Sequence, residues 1–303
     1  MASLLQTALE LGLISSLTVL ALYLSYSMLD VCDLSTDGAF TLGACVGAVV
    51  AISGHPLLSI PAAMLAGVLS GFVTAILQTK MGIDSLLAGI VVNTGLYSIN
   101  IAVMGNSSLL NMNKTDTVFS MVKAALDQTV CRDQARLFVI LFFIALISVF
   151  LILLLRTRLG LAIRATGNNL AMVRSSSINT SAITIIGLCI SNSFTGLSGC
   201  LLAQYNKSVN IDIGSGMLTV ALASLLIGRM FFRKRGTAFG VLGAILGSCM
   251  FRVIYTLALR FNMPAYMLKL ISSVIVIAAI SGPYFQSHYA AERKRKSLRG
   301  GVQ

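Results

Sequence analysis

Long apolar runs divided by short polar punctuation set the pattern of this chain. A helix needs about 20 mostly apolar residues to cross a hydrocarbon core. Runs of that order fall at 5–29, 38–53, 57–79, 84–104, 137–155, 182–204, 216–230, 237–259 and 264–282. The run at 137–155 is apolar almost throughout. Those at 38–53 and 216–230 are short and carry glycine, which predicts broken or tilted helices. The expectation is an all-α integral membrane protein of about nine transmembrane spans, some broken or re-entrant. The membrane domain covers 1–283, and 284–303 forms a basic tail. The first run has no basic stretch before it and is long enough to span, so it is not read as a cleaved signal peptide.

A weak internal similarity adds to this. Asp33-Leu-Ser-Thr-Asp-Gly opens the second run and Asp212-Ile-Gly-Ser-Gly opens the seventh. Copies at about 30–104 and 209–283 begin an odd number of spans apart, which predicts an inverted repeat. Inverted repeats are a transporter device, with the pathway near the membrane midplane between the copies.

Composition agrees with lipid as the solvent. Only 11% of the 303 residues are charged and the mean hydropathy is +0.89. A soluble domain carries about 25% charged residues. The net charge of +12 is concentrated at 156–174, 229–235 and 293–299, beyond apolar runs. That is the signature of cytoplasmic loops, and it argues against a nucleic-acid partner. It predicts a cytoplasmic C-terminus, an external 105–136 loop and an external N-terminus. The six cysteines form no C-x-x-C pair, and the only histidines are His55 and His288. No metal site, cofactor site or catalytic motif emerges, so a membrane enzyme is a poor reading.

Polar residues inside apolar runs are the candidate pathway. Ionisable groups at membrane depth are costly and point to function. The set is Asp33, Thr36, Asp37, Gly38, Asn93, Asn192, Asp212 and Ser215. The plain alternatives are helix-to-helix hydrogen bonding for Asn, Ser and Thr, and a helix cap for Asp33. A stretch at 117–130 with an amphipathic pattern predicts a helix on the outer surface.

The 156–180 loop is the most informative segment. Thr166, Asn168 and Asn169 are good N-cap residues, and Leu170–Ser176 then forms about two turns, with Leu170 and Val173 on one face and Arg174 beside them. Such a helix suits a groove on a partner; a basic loop that only fixes topology is the alternative. This segment, with Arg164-Ala165-Thr166-Gly167-Asn168-Asn169, resembles the coupling loop of permeases serving branched-chain amino acid and ribose importers. Asp33-Leu-Ser-x-x-Gly and Ala223-Ser-Leu-Leu-Ile-Gly228 are similar to that family too, and the resemblance runs from about Leu4 to Pro283. The tryptophan/tyrosine-type uptake permeases are the most similar subgroup. Asn168 stands where an acidic residue is common in the family, and Arg229 follows Gly228 where that subgroup often has Glu.

The resemblance implies the membrane-spanning subunit of an ATP-binding-cassette importer in a bacterial cell membrane. It implies a permease homodimer, a separate cytoplasmic ATPase holding ATP and magnesium, and an extracytoplasmic solute-binding protein. The chain itself has no G-x-x-x-x-G-K-[ST] phosphate loop, so ATP hydrolysis needs another chain. A small polar solute is expected, an amino acid before a sugar or nucleoside. An ion-coupled secondary transporter is the alternative that also explains inverted repeats.

Overall fold

The computed structural model describes residues 2–125, 134–176, 178–231 and 236–260, together with 270, 273–277 and 281. The described chain is almost entirely helical. Helix α1 (Ala2–Leu22) continues as a π-helical turn over Tyr23–Met28, followed by α2 (Thr36–Ile52), α3 (Ser59–Thr79) and α4 (Ser85–Val103). Strand β1 (Leu109–Asn111), α5 (Val118–Ala125), α6 (Ala135–Arg156), α7 (Arg158–Asn168) and α8 (Leu170–Ser175) come next. Helix α9 (Thr180–Asn206), β2 (Ser208–Asn210), α10 (Met217–Phe231) and α11 (Thr237–Arg260) complete the series.

Eight of the predicted runs are helices, with ends within three residues of expectation. Six helices among the described residues are long and apolar enough to cross a membrane; α2 and α10 are shorter apolar helices. The protein is therefore a multi-pass membrane protein. Of the predicted span at 264–282 the structure describes only residues 270, 273–277 and 281, and the basic tail lies outside the described residues. The amphipathic helix expected over 117–130 is present as α5 across the described part of that stretch, Val118–Ala125; residues 126–130 lie outside the described residues.

Helix directions follow from which residues meet. Ser191 donates to the Ala21 carbonyl and Ser198 to the Ile14 carbonyl, so α1 and α9 are antiparallel. Ser15 meets Ser248 while Tyr23 reaches Thr237, so α1 and α11 are antiparallel too. Gly43 of α2 lies on Gly196 of α9, and Gly47 lies on Cys200, so α2 runs parallel to α9. Gly228 packs on Gly243 and Ser224 on Gly247, so α10 opposes α11. It follows that α2 and α10, the two short helices, run in opposite directions.

Close helix approach is what glycine supplies in this bundle. A Cβ at Gly43 would enter the Gly196 carbonyl. Lipid gives helices no hydrophobic reason to associate, so small residues and polar bonds hold such crossings. The antiparallel pairing of β1 with β2 joins the far ends of α4 and α9. There Gln204 donates to Ser59 Oγ at 2.6 Å and accepts from the Val118 amide at 2.9 Å, fastening α5 over α3 and α9. The α7–α8 segment lies at the opposite end. Large apolar side chains on α3, α4, α6 and α11 face outward, Leu69 at 65% and Phe142 at 62% exposure among them. Bare apolar surface on this scale belongs against lipid or protein.

Candidate functional site

The segment between the π-helical turn and α2 is irregular backbone inside an apolar bundle, tolerated at that depth only under a cover of protein or water. Asp30 adopts a left-handed conformation (φ 57°) as the chain leaves the π turn. Asp33 then folds back on its own strand of chain: Oδ1 accepts from the Ser35 amide at 2.8 Å and the Ser35 hydroxyl at 2.6 Å. Its other oxygen accepts from Asn192 Nδ2 at 2.6 Å. Thr74 donates to Ser35 Oγ at 3.2 Å, and Thr36 Oγ1 donates to the Asp33 carbonyl at 2.8 Å. This network pins the entry to α2 against α3 and α9. Asp33, Thr36 and Asn192 are each at most 2% exposed.

Asp37 does something different. Its Oδ2 accepts from the Gly216 amide at 2.9 Å and its Oδ1 from the Leu218 amide at 2.7 Å. A side chain of α2 thereby caps the start of α10, satisfying amides that a helix N-terminus leaves unpaired. Gly214 is fitted against the Asp37 carbonyl and the Thr41 hydroxyl, leaving no room for a side chain. The two short helices thus begin at one place and run apart in opposite directions.

Beside that junction is a cleft of about 470 Å³, lined by α2, α4 and the connector before α10. Asp37, Gly38 and Thr41 form one wall. Asn93, Thr94, Tyr97, Ser98 and Asn100 of α4 form the second, and Ile211, Asp212 and Ser215 close the third side. Of the residues singled out in sequence, Asp37, Gly38, Asn93, Asp212 and Ser215 meet here. Asp33, Thr36 and Asn192 do not line the cleft. They are consumed in the network behind it, because each makes a hydrogen bond inside the packed bundle. Thr41, Tyr97, Ser98 and Asn100 were missed. The spacing of Asn93, Thr94, Tyr97 and Ser98, three and four apart on an otherwise apolar helix, was the available signal.

The 164–174 candidate segment also takes shape. Asn169 accepts from the Met172 amide at 3.1 Å and caps α8. Thr166 and Asn168, the other cap candidates, belong to α7 instead. Thr166 is buried and donates to the Ala162 carbonyl at 2.8 Å, and Asn168 is the last residue of that helix. Leu170 and Val173 part company: Val173 is 2% exposed, turned into the protein, whereas Leu170 is 45% exposed. Met172, Arg164 and Arg174 are exposed with it. Ala165 is half-buried, and Gly167 is seated directly on the backbone of Met28 and Leu29.

Comparison with known proteins decides the family. Residues 4–280 match the model of the branched-chain amino acid transport system permease component. The chain belongs to this family. It is 34% identical over 271 residues to a tyrosine transport system permease protein of Clostridioides difficile, covering 89% of this chain and 88% of that one. An uncharacterized protein of Rickettsia prowazekii is 31% identical over 284 residues, 91% and 96% of the two chains. An autoinducer 2 import system permease protein of Escherichia coli is 25% identical over 128 residues, 42% of this permease and 37% of that one. No solved structure matches the chain.

Proposed function

We propose that the chain is the membrane-spanning subunit of an ATP-binding-cassette importer and that its solute passes through the cleft between α2, α4 and the 211–216 connector. The carrying observation is the cleft itself: nearly every lining residue is polar, in a bundle whose other faces are apolar. Polar surface at membrane depth belongs to a water-filled path or a protein contact. Two short helices that start together and run oppositely are the geometry expected of inverted repeats around such a path.

The α7–α8 segment is the docking site for a separate ATPase on the cytoplasmic side, where Leu170, Met172 and Arg174 present an apolar-basic face. The end that carries the β1–β2 pairing then faces outward, to an extracytoplasmic binding protein. A second copy of the permease covers the open side of the cleft and the path runs along the dimer axis. An amino acid is the favoured solute, in keeping with the tyrosine system of the Clostridioides difficile relative. ATP hydrolysis resides on the partner chain.

Uptake of labelled amino acids into cells carrying the whole importer tests this. Ser98→Trp fills the cleft from a position whose side chain makes no hydrogen bond among the described residues and should abolish uptake while membrane insertion is kept. Undiminished uptake by that variant removes the cleft from the path.

A further inference from the structure

The cleft holds two carboxylates and, among the described residues, no cationic side chain. The two are not equivalent. Both oxygens of Asp37 are taken by the Gly216 and Leu218 amides. That arrangement also fills the start of α10, the place in the cleft where amides and the helix dipole would otherwise attract a solute's anion. Asp212 is exposed, and its carboxylate makes no hydrogen bond or ion pair among the described residues; only its backbone is engaged.

A second, independent feature points the same way. Asn100 lines the cleft yet is 1% exposed. Its Nδ2 donates to the Gly38 carbonyl at 3.4 Å, and its Oδ1 has no partner. A buried acceptor left unpaired costs free energy and calls for an explanation, an absent ligand among them. Both uncommitted groups, the Asp212 carboxylate and Asn100 Oδ1, accept hydrogen bonds. An ammonium group is all donors.

Resting on the reading of the cleft as the solute path, we infer that the cleft recognises its solute by an ammonium group, through Asp212 and Asn100, and has no seat for a solute's carboxylate. Asp212 is the selecting charge, and Asp37 acts only by holding α10. Zwitterionic and purely cationic amines are admitted; the same skeleton bearing an acid and no amine is turned away. Tyr97, half exposed on the α4 wall, supplies a flat apolar face for the rest of the solute.

Thiol labelling of the full-length permease in membranes tests this. Thr94→Cys places a thiol in the cleft, with the unsubstituted chain measuring background. A methanethiosulfonate bearing trimethylammonium is compared with one bearing sulfonate, each corrected for its rate with a free thiol. The cationic reagent should react about tenfold faster, because fixed negative charge between low-dielectric walls concentrates cations in the cleft. Asp212→Asn should lower the ratio several-fold, the amide-paired Asp37 sustaining only the remainder, and Asp212→Glu, which keeps the charge, should restore it. Tyramine should protect the thiol and 4-hydroxyphenylpyruvate should not. An unchanged ratio in Asp212→Asn, or equal protection by the keto acid, overturns the inference while leaving the path intact. A thiol at position 94 that neither reagent reaches overturns the path reading itself.

Discussion

Asn93 and Asn192 look alike in sequence, each an asparagine midway along an apolar helix, yet their substitution by alanine should have opposite consequences. Asn192 donates to Asp33 Oδ2 at 2.6 Å and to the Leu188 carbonyl at 3.2 Å, and it is 1% exposed. A hydrogen bond to a charged group contributes about 1.5–3 kcal/mol, and the acceptor stranded by its loss adds about 1–3 kcal/mol. Asp33 keeps its two bonds from Ser35, which places the penalty within about 3–5 kcal/mol in total. Asn93 makes no hydrogen bond among the described residues, so Asn93→Ala should cost about 0.5 kcal/mol or less. Thermal unfolding of detergent-solubilised permease, followed by loss of the monodisperse peak, reads both. Asn192→Ala should lower the apparent midpoint by about 6–10 °C. Asn93→Ala should leave the midpoint alone and reduce uptake. An Asn192→Ala midpoint within about 2 °C of the parent, or a greater loss in Asn93→Ala, refutes the assignment of one residue to the scaffold and the other to the cleft.

Gly43→Val drives a branched side chain into the Gly196 carbonyl and should cost about 3 kcal/mol, read as a lower yield of folded protein. Asp37→Ala strips the cap from α10 and should cost about 1–2 kcal/mol, with faster amide exchange at residues 216–218; Asp37→Asn, which retains an acceptor, should lose less. Gly167→Val collides with the backbone of Met28 and Leu29 and should abolish uptake with membrane insertion retained, as measured by membrane fractionation alongside transport. Single cysteines at 174 and 123 should label from the cytoplasm and from outside respectively, and external labelling at 174 would reverse the assigned orientation.

Helix positions were legible because lipid makes hydropathy a nearly sufficient rule: a backbone without water must close its own hydrogen bonds, so each long apolar run becomes a helix. The start of α2 was legible for the same reason, since Asp33-Leu-Ser-Thr-Asp-Gly could not continue an apolar helix. The division of labour within that hexapeptide was not. Asp33 and Asp37 differ only in what faces them, Asn192 in one case and the amides of Gly216 and Leu218 in the other. Those partners lie more than 150 residues away in sequence. Helix α7 reads as loop in sequence because its glycines, arginines and polar residues mask a narrow inward face of Gly160, Ile163 and Thr166. Spaced three apart, those residues were the missed signal. The β1–β2 pairing joins short segments about 100 residues apart and had no local signature.

The cleft's three walls are not equally tied. Asp37 joins α2 to the start of α10 by two bonds of 2.9 and 2.7 Å from one carboxylate, and Gly214 packs against the Asp37 carbonyl without space between. Helix α2 is further anchored at its entry through Asp33 to α9, and through Ser35 to Thr74 of α3. Helix α4 has no comparable tether among the described residues. Its hydrogen bond to α2 runs from Asn100 to the Gly38 carbonyl at 3.4 Å, and the rest is packing of Asn93 and Leu96 on Gly38 and of Gly89 on Leu34. Packing against a glycine is easily reseated by a small slide, whereas two bonds to one half-buried carboxylate must break together. Widening the cleft by parting α2 from α10 would strand the amides of Gly216 and Leu218; shifting α4 gives up one long hydrogen bond. The α4 wall, which also carries most of the cleft's polar side chains, is therefore the one that can yield. On the other side of the bundle, Gly167 rests on the end of the π-helical turn, and residues 29–35 join that turn to the tied helix α2.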